Sequence, residues 1–123
     1  MKRLLRLLPS ILALATAGAM AQDRGYDPKA LARYDVSYQR CEARFPEMKG
    51  HGDEAYLNLW RATLNDTTRS RLASVRGSAP YKAERKVAAR AAAASPTPEA
   101  QKKLEQQCRG LWGEMAKAPK QPK

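Results

Sequence analysis

His51 is the single histidine of the chain, and it stands between Gly50 and Gly52 with Asp53 and Glu54 directly after it. An imidazole beside two carboxylates could ligate a metal or act as a general base. One imidazole with two adjacent acids falls short of the ligand set of a zinc site. No serine- or cysteine-based triad can be assembled around it, because both cysteines are wanted elsewhere. Gly50 to Ala55 also spells G-x-G-x-x-A, but no strand precedes it, so dinucleotide binding does not follow. A haem-attaching C-x-x-C-H is absent. No catalytic residue, metal or cofactor is therefore expected, and Asp53 and Glu54 read as acids favoured at the start of a helix by its dipole.

The other reactive groups are Cys41 and Cys108, the only two cysteines. They are too far apart in sequence for a C-x-x-C redox pair. In an exported chain two cysteines favour one structural bridge. Closing a loop of about 68 residues is worth on the order of 4 kcal/mol in the chain-entropy model.

The elements that must position these groups are helical. Asp27-Pro28 is a helix start, with Asp as cap and Pro at the first position. Leu31, Tyr34, Tyr38, Cys41 and Phe45 recur at steps of three and four, which puts them on one face of a helix over 28–45. Pro46 ends it, and Glu47 to Gly52 form a loop. A second helix is predicted from Asp53, with Tyr56, Leu57, Trp60 and Leu64 as its stripe. Leu72 and Val75 continue an apolar face slipped by about one residue. Residues 53–76 are thus one kinked helix, or two with Asn65-Asp66-Thr67 as a new cap. Gly77 to Pro80 is a turn. Residues 80–94 are helical by their Ala, Lys, Arg and Glu content, with a weak stripe of Ala83, Val87, Ala91 and Ala94 and Tyr81 nearby. After Ser95-Pro96, Thr97 caps a last helix that carries Leu104, Cys108, Leu111 and Met115 to about residue 116.

Residues 1–21 read as a cleaved signal peptide. Lys2, Arg3 and Arg6 give a positive start, Leu7 to Ala17 an apolar run, and Ala19-Met20-Ala21 a cleavage site. The run is too short and too interrupted by Pro9 and Ser10 for a permanent span. The expected mature chain has a polar lead-in over 22–26, a helical domain over 27–116 and a basic, disordered tail over 117–123. It carries 20 bases against 12 acids, and only 11 of its 102 residues are Leu, Ile, Val or Phe. So little apolar material at so high a net charge excludes a large enzyme core and makes a covalent staple valuable. A periplasmic or secreted location follows, without a membrane span after cleavage.

Seven bases and one acid lie between Arg69 and Arg90. Lys82, Arg85, Lys86 and Arg90 fall on one helix face and are the anion-binding candidates; otherwise they form a solvated face. A periplasmic address disfavours nucleic acid as the anion, and Tyr81 alone offers little base stacking. The aromatics Tyr34, Tyr38, Phe45, Tyr56, Trp60 and Trp112 have helical spacing and should supply most of the core. Exposed parts of Trp60 and Trp112 would form a groove for a partner. The expected fold is a small all-α bundle of three or four helices, its first and last antiparallel and joined by Cys41–Cys108. The expected function is non-enzymatic binding of another envelope macromolecule, as an adaptor, inhibitor or chaperone-like factor. The alternative is direct binding of lipopolysaccharide or another anionic envelope polymer through the basic face.

Overall fold

The computed structural model describes residues 25–94 and 97–117, and all regular structure among them is helical. The segment over 1–21 expected to be a signal peptide, residues 22–24 of the expected lead-in, the pair Ser95-Pro96 and residues 118–123 of the expected tail lie outside the described residues.

Helix α1 spans Pro28–Arg44. The Asp27 carboxylate accepts from the Ala30 amide at 2.9 Å, and Pro28 occupies the first turn, where a missing amide proton costs nothing. A single 3-10 turn, Pro46–Met48, follows. Gly50 then reverses the chain at φ +83°, a conformation that disfavours any side chain. Helix α2 spans Gly52–Leu59, α3 Asp66–Arg76, α4 Ala79–Ala93 and α5 Pro98–Lys117.

The 53–76 stretch is therefore two helices, which raises the described count to five. The break has two causes. At the end of α2 the Ala62 amide donates to the Leu57 carbonyl and the Arg61 amide to that of Asn58, the paired bonds of a Schellman stop. Asn65 and Thr68 then form a reciprocal capping box that restarts the helix.

Two buried clusters share α1. The first gathers Leu31, Ala32, Tyr56, Leu57, Leu72 and Tyr81 from α1 to α4. The second gathers Tyr38, Cys41, Met48, Ala55, Leu104 and Cys108 from α1, the 3-10 turn, α2 and α5. The Cys41–Cys108 disulfide sits inside the second, with its Cα atoms 5.6 Å apart, and joins the first helix to the last. Arg44, one turn beyond Cys41, reaches Gln101 and Glu105, which precede Cys108. The two helices thus run antiparallel. Both thiols are lost from chemistry in this bond, and a buried disulfide of this reach suits an oxidising compartment. No helix among the described residues is long and apolar enough to cross a membrane.

Of the six aromatics expected to supply most of the core, only Tyr38 and Tyr56 are buried; Tyr34, Phe45 and Trp112 pack half-buried against the clusters, and the fully buried side chains are Leu31, Met48, Leu57, Leu72 and Cys108. Three phenols also bond backbone carbonyls at the edges of the helices. Tyr34 donates to the Gly52 carbonyl at 2.7 Å, Tyr38 to that of Met48 at 2.6 Å, and Tyr56 to that of Gly25. That last bond draws the last two residues of the expected lead-in into the body: Gly25 is buried, and Tyr26 packs on the first cluster.

The stripe expected on α4 is not the buried one. Tyr81 is buried and Ala88 and Ala92 are half-buried, whereas Ala83, Ala91 and Ala94 are exposed and Val87 is 56% exposed. The large Tyr81 ring fixes the helix register against α1, and alanines, equally small on every face, have no say against it.

Candidate functional site

Three surfaces bring together side chains that could bind something. The first is a cleft of about 410 Å³ between α1, the α2 start, α3 and α4. Its centre is Arg76, at the last turn of α3. Arg76 Nε and Nη2 donate to the two Asp35 oxygens at 2.8 and 2.9 Å, and Nη2 donates to Asp53 at 2.7 Å. These hydrogen bonds, Asp35 first, hold the guanidinium charged by raising its pKa further above its already high value. The Tyr81 hydroxyl donates to Asp35 as well, and Arg85 Nη1 donates to the Tyr81 oxygen at 2.9 Å. Burial, then the bonded Asp35, pushes the Tyr81 phenol up. Every charge at the centre of this cleft has an opposite partner, so the group clasps the helices together.

His51 stands exposed at the rim of α2. Its Nδ1 lies 3.1 Å from Glu54, and its ring meets the Trp112 ring at 5.5 Å between centroids. Asp53, its other sequence neighbour, is engaged by Arg76 instead. Among the described residues no group of three or more His, Cys, Asp and Glu could hold a metal.

The second surface is the outer side of α4. The seven bases of the 69–90 segment divide here. Arg69 pairs with Asp66, Arg71 lies over the Tyr26 ring, Arg76 is clasped, and Arg85 turns to Tyr81 with Asp35 at 4.0 Å. Lys82, Lys86 and Arg90 remain exposed, with no carboxylate partner among the described residues. Of the four bases expected on one face, Arg85 therefore belongs to the interior network and three form the row. Beside that row lie exposed Ala83, Val87 and Ala91.

The third surface is an aromatic pocket of about 260 Å³ at the end of α2. Tyr26, Tyr56 and Trp60 wall it, and Arg61 and Arg71 rim it. Trp60 is 37% exposed, and its ring packs flat on Gly25, where a Cβ would come within 3.0 Å. Trp112 does not share this surface. It packs with the second cluster at α5, so the two tryptophans do not form one groove.

The sequence did not single out Asp35, Arg76 or Tyr81 as partners. Their separations of 41 and 46 residues carry no local pattern. Arg61 was missed too, and its signal was readable only in part: an arginine where a helix stop usually has glycine.

The fold thus defines a small, disulfide-joined helical bundle. No family model, curated protein or solved structure matches the chain.

Proposed function

We propose that the chain is an exported, non-enzymatic protein of the periplasm or exterior that docks an acidic protein partner on the outer side of α4. The observation that carries this reading is the row Lys82, Lys86 and Arg90, exposed and without carboxylate partners among the described residues, running beside the exposed side chain of Val87. Residues four apart on a helix lie about 6 Å apart along its axis, so the row offers three evenly stepped charges. A polymer of phosphates would need only that row. The apolar stripe beside it favours a partner with its own apolar face, such as an amphipathic acidic helix. Export is supported by the positive start and apolar run of residues 1–21 and by the buried disulfide. The non-enzymatic reading is supported by the engagement of both sulfurs in that bond and of the cleft charges with one another.

Envelope extract passed over the immobilised protein tests this. A protein partner should be retained by the native chain, released by salt, and lost from both a Lys82→Ala/Lys86→Ala/Arg90→Ala variant and a Val87→Ser variant. Binding to lipopolysaccharide vesicles that survives Val87→Ser but not the triple change would select the anionic-polymer reading instead.

A further inference from the structure

The pocket at the end of α2 has a composition suited to one kind of ligand. Its walls are the rings of Tyr26, Tyr56 and Trp60, and among the described residues no carboxylate lines it. Its polar pole is Arg61, whose guanidinium has no hydrogen-bond or ion-pair partner among the described residues. The neutral polar groups are nearly all spent. The Tyr56 hydroxyl donates to the Gly25 carbonyl, and the Thr68 hydroxyl donates to the Thr63 carbonyl. Besides these the walls offer only the Tyr26 phenol and the Trp60 indole N–H, too little for the many hydroxyls of a sugar, most of which would be buried unsatisfied. An apolar body ending in one negative charge fits instead.

Arg61 also holds a strained backbone. It is the only non-glycine residue at positive φ among the described residues, at +56°. It occupies the position of the Schellman stop where glycine avoids the clash of a Cβ with the backbone. Strain retained at the rim of a pocket points to a use for the side chain there.

The pocket is smaller than those that enclose drug-sized molecules, so it suits a single large side chain. Leu59, next to Trp60 in the chain, is half exposed and lines a second hollow of about 280 Å³ with Tyr34, Leu104 and Leu111. Leu59 is thus apolar surface beside Trp60 in the chain that a short free acid seated in the pocket would leave uncovered.

We propose that this pocket captures the C-terminal residue of a peptide chain, its aromatic or branched side chain against Trp60 and Tyr26 and its free carboxylate on Arg61. This site is separate from the α4 surface and does not rest on the reading of it.

A labelled hexapeptide ending in Leu-Phe, followed by fluorescence anisotropy on the full protein, tests the proposal. The peptide with a free carboxylate should bind saturably. Its C-terminal amide should bind at least tenfold more weakly, because a charge-assisted bond is lost. Arg61→Gly should show a similar loss while its circular dichroism and melting curve show an intact fold. The triple variant at Lys82, Lys86 and Arg90 should bind the peptide as the native protein does. Equal binding of acid and amide, unchanged affinity in Arg61→Gly, no saturable binding, or phenylacetate binding as tightly as the peptide would each overturn the proposal.

Discussion

Arg76 and Asp35 are joined by two parallel hydrogen bonds, from Nε and Nη2 to the two carboxylate oxygens, and this pair locks α3 to α1. The same guanidinium reaches Asp53 on α2, so one side chain ties three helices. Bidentate geometry and partial burial separate it from the surface pairs such as Arg69–Asp66, which contribute little. Arg76→Met leaves two carboxylates facing each other without their cation and should lower unfolding free energy by about 2–3 kcal/mol in urea melts. Asp35→Asn should cost more than Asp53→Asn, because the Asp35 side chain is 11% exposed and also accepts from Tyr81, while Asp53 is 33% exposed. The reverse order would contradict the assignment of Asp35 as the centre of the clasp.

The disulfide lies among side chains that are themselves few. A Cys41→Ser/Cys108→Ser protein should lose about 4 kcal/mol through the freed loop, more than 15 °C in melting temperature at about 4–8 °C per kcal/mol for a body of this size. Intact mass after alkylation of the unreduced, unfolded native protein should show no modified thiol. Two modified thiols in that experiment would refute the bond.

Alkaline pH should act through the tyrosines. Burial raises the Tyr38 and Tyr56 phenols to about 12 and pushes Tyr34 and Tyr81 up as well. A folded-state pKa above the unfolded value of 10 means that the folded protein holds its proton longer. The stabilisation is fully present below pH 10 and drains as the pH rises toward the folded value. The slope is up to about 1.4 kcal/mol per pH unit for each such phenol. Chemical-denaturation midpoints should therefore be flat with respect to these groups below pH 10 and fall steeply above it. Tyr38→Phe should make that fall shallower. An unchanged slope in Tyr38→Phe would show that its ring is not protected as described.

Arg61 offers a test of strain by itself. Arg61→Gly removes the left-handed clash, worth about 1–2 kcal/mol, and restores part of it as extra freedom of the unfolded chain. A net gain of about 0.5–1 kcal/mol is expected by thermal or urea unfolding. Loss of stability would place the Arg61 side chain in the structure rather than at a binding rim.

The sequence made some of this legible and hid the rest for physical reasons. Asp27-Pro28 and Thr97-Pro98 advertise helix starts because capping is local chemistry, and the Thr97 hydroxyl does accept from the Ala100 amide. The stripe from Leu31 to Cys41 is legible because large residues recur on one face. The pairing of Cys41 with Cys108 followed from there being two cysteines, each on such a stripe. The end of α2 was obscured because arginine stands where a glycine would have marked it, and the capping box at Asn65 uses Thr68 rather than the usual Glu or Gln. Met48 looked like loop and is buried, because Pro46 winds one 3-10 turn that aims it inward. The clasp of Arg76, and with it the loss of Arg85 from the basic row, depends on contacts between helices that no spacing rule reports.

The register of α4 is where sequence and structure part most sharply, and it can be settled by charge substitution. Alanine on every face gives periodicity nothing to detect, so the face is chosen by Tyr81, which is buried against α1 and held by Asp35. Ala88 and Ala92 then turn inward, and Val87 points to solvent. Val87→Lys should therefore leave stability within about 0.5 kcal/mol of the native protein, as exposed substitutions do. Ala88→Asp forces a carboxylate into the half-buried face that packs on α1 and should cost about 2 kcal/mol or more. If Val87→Lys were instead the damaging change and Ala88→Asp the silent one, the helix would be rotated by about 100° from the arrangement described. Tyr81 would then leave its seat on Asp35, and the row of Lys82, Lys86 and Arg90 would no longer face outward as a surface on which a partner could dock.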